Sequence, residues 1–237
     1  MVFDGYEFLK FATKSIRDKV DHISVTYQTT SYFGNENDSE IEKLLLDLKK
    51  QKLIDEMIYF EPDLSVHPKE NELKLRNIGL EASRKAGCTH HISADVDEFY
   101  DPIQLEYCKK VMDDGDFDFS VVSIDTYYKE PTYLVVPDQN LLVSFIHPVS
   151  NEYDKEIQYP TFPFHMETTR RFKNHKKYRV FSRDETVMHH MSYVRRDIRK
   201  KFKNSDNGRC YKIDKFLKTY DTYKVGERVC LLPDFLN

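Results

Sequence analysis

Three acidic side chains follow one short apolar segment, and their types and spacing suggest chemistry. Residues 89–94 have the composition of a buried strand, and Asp95-Val96-Asp97-Glu98 comes directly after it. Two carboxylates one residue apart can both bind a divalent cation, and such a cation can neutralise a diphosphate leaving group. The same pattern is common in solvated acidic loops, and the Gly and Glu positions of an EF-hand loop are lacking. The two carboxylates alone therefore do not predict a cation site, and other motifs in the sequence are needed to indicate one.

Basic residues gather later in the chain. The net formal charge is −4, but residues 95–118 are rich in acids and residues 173–203 are rich in Lys and Arg. Met191, Val194, Ile198 and Phe202 recur at spacings of three and four, which predicts a helix with one buried face. Its other face is either solvated or able to bind a polyanion through phosphate contacts. That face carries Arg195, Arg196, Arg199, Lys200 and Lys203.

The composition predicts one globular unit. A chain of 237 residues that is 40% hydrophobic can bury a sizeable core. Its longest apolar runs fall far short of the roughly 20 residues of a spanning helix, and the first residues lack a signal-peptide layout. The four cysteines are widely spaced and fit neither a zinc site nor a disulfide framework. We therefore expect reduced thiols and a cytoplasmic protein without a membrane span.

Helix and strand patterns alternate over the first hundred residues. Phe8, Ala12 and Ile16 share one face of a helix, and residues 23–27 alternate as a half-buried strand does. Ser39 and Glu42 have the spacing of a capping box at the start of a second helix. A strand at 57–60, a helix at 70–85 and the strand at 89–94 follow. This alternation predicts an α/β fold with a mainly parallel sheet flanked by helices.

Two further motifs accompany the acids. Arg76-Asn77-Ile78-Gly79-Leu80 precedes the strand that leads to Asp95, and Met188-His189-His190-Met191-Ser192-Tyr193-Val194-Arg195 comes later. Together with Asp95-Val96-Asp97-Glu98-Phe99-Tyr100, they give the chain a pattern that resembles glycosyltransferases of the GT-A fold, family-two-like, in a subgroup from bacteria and their phages. The resemblance covers residues 6–205. It implies a Rossmann-related GT-A-like sheet and transfer of a sugar from a nucleotide donor.

The resemblance also implies a donor site with a metal ion, Mn²⁺ or Mg²⁺. Asp97 would be the main metal ligand, and Asp95 would face the ribose or the metal. Arg76 and Asn77 would lie beside the nucleotide, where a guanidinium and an amide satisfy polar acceptors. One of two adjacent histidines, His189 or His190, would complete the metal's ligands.

The resemblance also implies residues that act in catalysis. An inverting transfer needs a carboxylate that takes the proton of the acceptor hydroxyl. Glu167 is the candidate, although relatives have Asp-Pro-Thr-Arg-Arg where this chain has Glu-Thr-Thr-Arg-Arg; Asp184 and Glu185 are alternatives, and a retaining enzyme needs no such base. Arg170 and Arg171 would neutralise the leaving diphosphate, because arginine matches phosphate oxygens in a bidentate way.

The predicted organisation is one GT-A-like domain over 1–237, with a nucleotide-sugar half to about 118 and an acceptor half from about 119. In such a domain a strand precedes the first helix, and here it is either reduced to Val2-Phe3 or lost. The expected donor is a uridine diphosphate sugar. Two acceptors are expected to fit the basic face: a hydroxymethylated base of phage DNA and an anionic surface glycan. A nucleotidyltransferase and a noncatalytic nucleic-acid-binding module are the alternatives.

Overall fold

The computed structural model describes residues 1–37, 40–135, 141–156, 166–205 and 212–224. Its helices are α1 (Leu9–Ile16), α2 (Glu40–Lys50), α3 (Pro68–Lys85), α4 (Pro102–Asp114), α5 (Ile198–Lys203) and α6 (Ile213–Thr222). Short 3₁₀ turns lie at Tyr6–Phe8, Arg17–Lys19 and Thr168–Arg170. The strands are β1 (Ser24–Tyr27), β2 (Glu56–Tyr59), β3 (His90–Ile92), β4 (Glu98–Phe99), β5 (Phe119–Tyr128), β6 (Leu142–Ser144), β7 (Ile146–Pro148), β8 (Tyr178–Val180) and β9 (Val187–Tyr193).

The strands form three small sheets of mixed direction. β1 and β2 pair in parallel, and β3 pairs with β7 in the antiparallel sense. The third sheet has the order β4-β9-β5-β6, with β8 on β5; the β5–β9 and β5–β8 pairs are parallel, and the others are antiparallel. The α/β class is therefore confirmed, but a mainly parallel sheet is not, because three of the six strand pairs in the described residues are antiparallel.

Residues Met1 and Val2 connect β1 to the segment after β3. Val2 N–H donates to Thr26 O at 3.0 Å, and Gln28 N–H donates to Val2 O at 3.3 Å. On the other side, the Met1 amino group donates to Ala94 O at 2.7 Å, and Val96 N–H donates to Met1 O at 3.1 Å. Both sets of bonds have the spacing of parallel strands. Of the reduced strand expected at Val2-Phe3, Val2 alone pairs with β1, and Met1 rather than Phe3 makes the bonds on the other side.

The predicted helices α1, α2 and α3 are confirmed. Ile41, Leu45 and Leu48 of α2 are buried, as the apolar stripe requires, although Ser39 of the capping box lies outside the described residues. α3 ends before Gly87, whose φ of 79° is the left-handed conformation that favours glycine after a helix. α3 and β3 together bring Arg76 and Asp95 to the same part of the molecule.

The predicted helix from Met191 onward is wrong over its first half. Residues 187–193 form β9, which pairs with β5 and β4, and α5 begins only at Ile198. Asp197 caps α5, since its Oδ1 accepts from Lys200 N–H at 3.0 Å. Ile198 and Phe202 are buried as predicted.

Two further findings concern the chain as a whole. None of the helices in the described ranges is long and apolar enough to cross a membrane. Cys88 and Cys108 are not in a disulfide bond, while Cys210 and Cys230 lie outside the described residues.

Candidate functional site

A cavity of about 500 Å³ opens beyond the carboxyl ends of β1 and β3. Ligands of open α/β sheets bind at this edge. The start of α3 contributes Lys69 and Glu72 to the cavity wall, and the acidic segment after β3 contributes Asp95 and Asp97. Later parts of the chain contribute Glu167, Arg170, His190, Arg195 and Lys201. Most of the residues predicted for the site therefore share one cavity.

Arg76 lies beneath this cavity and is only 1% exposed. Its Nε donates to Thr169 Oγ1 at 3.1 Å and its Nη1 to Ser93 Oγ at 2.9 Å. Nη2 contacts carboxylates of Glu72 at 2.7 Å and Glu167 at 3.1 Å. Arg76 therefore holds the side chains of Glu72 and Glu167 together at the base of the cavity.

Arg170 is equally buried and joins three acids. Nη2 lies 3.0 Å from Asp95 Oδ2 and 2.5 Å from Glu98 Oε1, and Nε lies 3.1 Å from Glu167 Oε2. Burial alone would raise the pKa of Asp95, but Arg76 and Arg170 hold it below its usual value. The Asp95 carboxylate is thus directed toward the buried arginines.

Glu72 and Glu167 form a carboxylate pair with opposite pKa shifts. Burial and the neighbouring Glu167 raise the pKa of Glu72 to about 7. Burial would also raise the pKa of Glu167, but Arg76 and Lys69 hold it well below its usual range. Lys69 Nζ bridges the pair at 2.8 Å from each carboxylate. Near neutral pH, Glu72 therefore exchanges a proton and Glu167 stays ionised.

Asp97 belongs to a separate cationic cluster. Its Oδ2 pairs with Arg195 Nη2, lies 3.3 Å from Lys201 Nζ and lies 3.5 Å from His190 Nε2. Burial alone would raise the pKa of Asp97, but Arg195 and Lys201 outweigh it and hold the pKa well below its usual range. Asp97 is only 4% exposed, so these contacts replace most of its hydration.

The expected metal ligands are only partly brought together. His190 approaches Asp97, whereas His189 lies on the other face of β9, with Nδ1 2.8 Å from the Tyr127 hydroxyl. The Asp95 carboxylate contacts Arg170 and Arg76 instead. Across the described ranges, three or more His, Cys, Asp or Glu side chains nowhere gather as a metal site requires. The residues as placed do not fit Mn²⁺ or Mg²⁺, whose binding stays a prediction.

Four other predicted or alternative site residues lie apart from the cavity. Asn77 Nδ2 donates to Leu73 O of its own helix at 2.8 Å. Arg171 contacts Asp154 at 3.3 Å rather than any residue of the cavity wall. Among the alternatives for the base, Asp184 is exposed, and Glu185 accepts from Tyr107 OH at 3.1 Å near α4. Asn77 and Arg171 are thus not positioned to contact a ligand bound in the cavity.

The predicted basic face is divided. Arg195 is 6% exposed on its side chain and contacts Asp97, so it belongs to the cavity. Arg199 pairs with Asp221 at 2.6 Å, and Lys200 donates to Asn37 at 2.7 Å. Arg196 and Lys203 are exposed. The surface available to a polyanion is therefore smaller than the sequence predicts.

Lys69, Glu72 and Lys201 are among the charged residues of the cavity wall that were not predicted from the sequence. Glu72 lies one helical turn before Arg76 in α3, and that spacing is a signal for an ion pair. Lys201 contacts Asp97 across 104 positions of sequence, which no local pattern reveals.

Comparison with known proteins gives no family assignment, because no protein-family model, curated protein or solved structure matches the chain.

Proposed function

We propose that this protein is a glycosyltransferase that moves a sugar from a nucleoside diphosphate sugar to an acceptor hydroxyl. The observation that carries the proposal is the cavity at the carboxyl ends of β1 and β3, which is lined by both acids and cations. Its volume of about 500 Å³ lies within the range of small-molecule sites. Cations there suit a diphosphate leaving group, and acids suit a sugar and its acceptor.

Glu72 suits the role of general base better than Glu167 does. A base works best with a pKa near the working pH, and the pKa of Glu72 is raised to about 7. Glu167 is ionised but binds protons weakly, because its pKa is held well below the usual range. In an inverting transfer, the Glu72 carboxylate would accept the acceptor proton, while Lys69 and Arg76 hold the carboxylate in place.

Two observations bear on the alternatives. A nucleic-acid-binding module depends on the basic face, and Arg195 is withdrawn from that face into the cavity. A nucleotidyltransferase would use similar acids, but the sequence lacks a Gly-rich phosphate loop. Neither alternative has an observation of its own in its favour. The acceptor stays open between hydroxymethylated DNA and an anionic glycan.

Product analysis tests the proposal. The protein is incubated with uridine, guanosine, cytidine, adenosine and thymidine diphosphate sugars, and released nucleotide is separated by chromatography. A glycosyltransferase releases the nucleoside diphosphate, by transfer or by slow hydrolysis. In a parallel incubation with nucleoside triphosphates and a sugar phosphate, a nucleotidyltransferase releases pyrophosphate, and that product would overturn the proposal.

The base is tested by Glu72→Gln, with Glu70→Gln as the matched control. Glu70 is exposed on the same helix, two residues earlier. Glu72→Gln should lower turnover by about 100-fold or more, the usual contribution of a general base, and Glu70→Gln should leave it unchanged. Equal turnover in the two variants would remove Glu72 from the mechanism.

A further inference from the structure

Arg195 is built into the wall of the cavity. Its side chain is 6% exposed, and its guanidinium carbon lies 5.4 Å from the centre of the Phe8 ring. It also packs against Gly5, whose φ is 73°; a Cβ at that position would overlap Arg195 Nη1. The guanidinium is therefore held beside Asp97 by residues at the start of the chain.

Among the described residues, Arg195 and Lys201 share one close carboxylate, that of Asp97. Arg195 pairs with Asp97 through Nη2, but Nε and Nη1 are buried with no hydrogen-bond partner among the described residues. The Lys201 ammonium, with a side chain 11% exposed, donates to Asp97 at 3.3 Å. Asp4 attracts Lys201 more weakly than Asp97 does. Burying two cations against one close carboxylate costs free energy, which a bound anion would offset.

The same cluster is a poor place for a divalent cation. A metal ion at Asp97 would lie beside two positive side chains, and at such distances repulsion is strong in a partly buried site. Of the possible metal ligands, Asp97 and His190 lie together here, Asp95 pairs with Arg170, and Asp4 acts on Lys201 more weakly than Asp97 does. The local charge favours an anion.

We infer that Arg195 and Lys201 bind the diphosphate of the donor beside Asp97 and that this binding requires no divalent cation. The inference rests on the proposed function and names the residues that neutralise its leaving group. The sequence predicts that Arg170 and Arg171 neutralise the leaving diphosphate. The inference assigns that role to Arg195 and Lys201 instead. Arg170 already contacts three carboxylates, and Arg171 lies away from the cavity.

The test is calorimetric titration of the full chain with uridine diphosphate and with inorganic pyrophosphate, in EDTA and in Mn²⁺. The other four nucleoside diphosphates are titrated in the same two buffers. For each probe that binds, the dissociation constants in the two buffers should agree within about threefold. Arg195→Gln and Lys201→Met should each raise them at least about tenfold in both buffers, as expected for loss of a charged hydrogen bond. Lys110→Met, at an exposed site on α4, should leave them unchanged.

A second pair of variants separates the loss of anion binding from a general loss of folding. Gly5→Ala and Gly87→Ala place a Cβ at similar left-handed φ values of 73° and 79°, so both carry the same backbone strain. Only Gly5→Ala displaces Arg195, because no atom of the described residues lies within 4 Å of a Cβ at Gly87. Gly5→Ala should weaken diphosphate binding, and Gly87→Ala should not.

The outcomes separate this inference from the proposed function. Nucleotide binding that appears only with Mn²⁺ would overturn the inference and leave the proposed function standing. Binding in EDTA that survives both Arg195→Gln and Lys201→Met would overturn the residue assignment. Failure of every nucleoside diphosphate in both buffers would overturn the proposed function and the inference together.

Discussion

Arg76 and Arg170 are each 1% exposed, and their charges are compensated almost entirely by carboxylates. A buried ion pair adds little stability relative to an apolar pair, but removing one partner leaves an uncompensated charge in a low-dielectric site. These arginines therefore hold the acidic segment after β3 in one geometry, and a substitution there affects the fold first.

At this scale we predict that Arg170→Gln lowers the free energy of unfolding by about 3 to 5 kcal/mol. Glu98, 2.5 Å from Arg170, would remain buried without its cation. Arg199→Gln is the control; the Arg199 side chain is 55% exposed and lies 2.6 Å from Asp221, and its loss should cost about 1 kcal/mol or less. Urea unfolding measures both variants. Similar losses in the two would show that the Arg170 network is not buried as described.

Glu72 gives a pH-dependent prediction. Its folded pKa of about 7 exceeds the roughly 4.3 of an unfolded Glu, so the folded state binds the proton more tightly. Its contribution to stability is then complete below about pH 4.3, declines as the pH rises, and is lost above about pH 7. The stability of the natural chain relative to Glu72→Gln should therefore fall from pH 5 to pH 8 in urea titrations. A difference that is constant or rises with pH would contradict the assignment.

The sequence predicts the residue types of the site better than their partners. Asp95, Asp97 and Arg76 were found because they lie beside recognisable elements. The contact from Glu72 to Thr169 spans 97 positions, and the contact from Asp97 to Lys201 spans 104. Such pairings depend on the three-dimensional fold, so local spacing could neither assign Arg195 to the cavity nor separate His189 from His190.

At the scale of elements, α4 depends on Asp101, the N-cap residue that precedes it. Asp101 Oδ1 accepts from Ile103 N–H at 2.8 Å and from Gln104 N–H at 3.0 Å, and Pro102 opens the helix. Asp101→Ala should lower the free energy of unfolding by about 1 kcal/mol. Asp101→Asn should lower it much less, because asparagine also caps helices well. Equal stability of the Ala variant and the natural chain in urea unfolding would show that the cap is dispensable.

The elements that were predicted correctly have strong local signals. α2 and α3 show regular apolar spacing, and β1 shows apolar–polar alternation in its sequence, although residues 25–27 are all buried in the structure rather than half of the strand. β9 was missed because Met191 and Val194 happen to lie at helical distance from Ile198 and Phe202 across a change from strand to helix. Its strand character comes from pairing with β5 and β4, and pairing between distant segments leaves no periodic signal.

At the scale of the whole molecule, the modest net charge of −4 conceals a separation of charge. The acids after β3 and the basic segment around α5 meet at one cavity. Asp95 contacts the buried Arg76 and Arg170, and Asp97 contacts Arg195 and Lys201. This arrangement supports one binding site with an acidic part and a cationic part. The proposed function assigns the cationic part to the diphosphate and the acidic part to the sugar and its acceptor.

The central claim is that this cavity binds a nucleoside diphosphate, and a thermal-shift panel tests it most directly. Uridine, guanosine, cytidine, adenosine and thymidine diphosphates are each added to the full chain, with and without Mn²⁺. At about 100 times the dissociation constant, a ligand adds about 2.7 kcal/mol, which corresponds to a rise in Tm of roughly 5 to 10 °C for a chain of this size. We predict such a rise for one diphosphate, uridine diphosphate first, and its loss in Lys201→Met. No rise with any of the five would contradict the account.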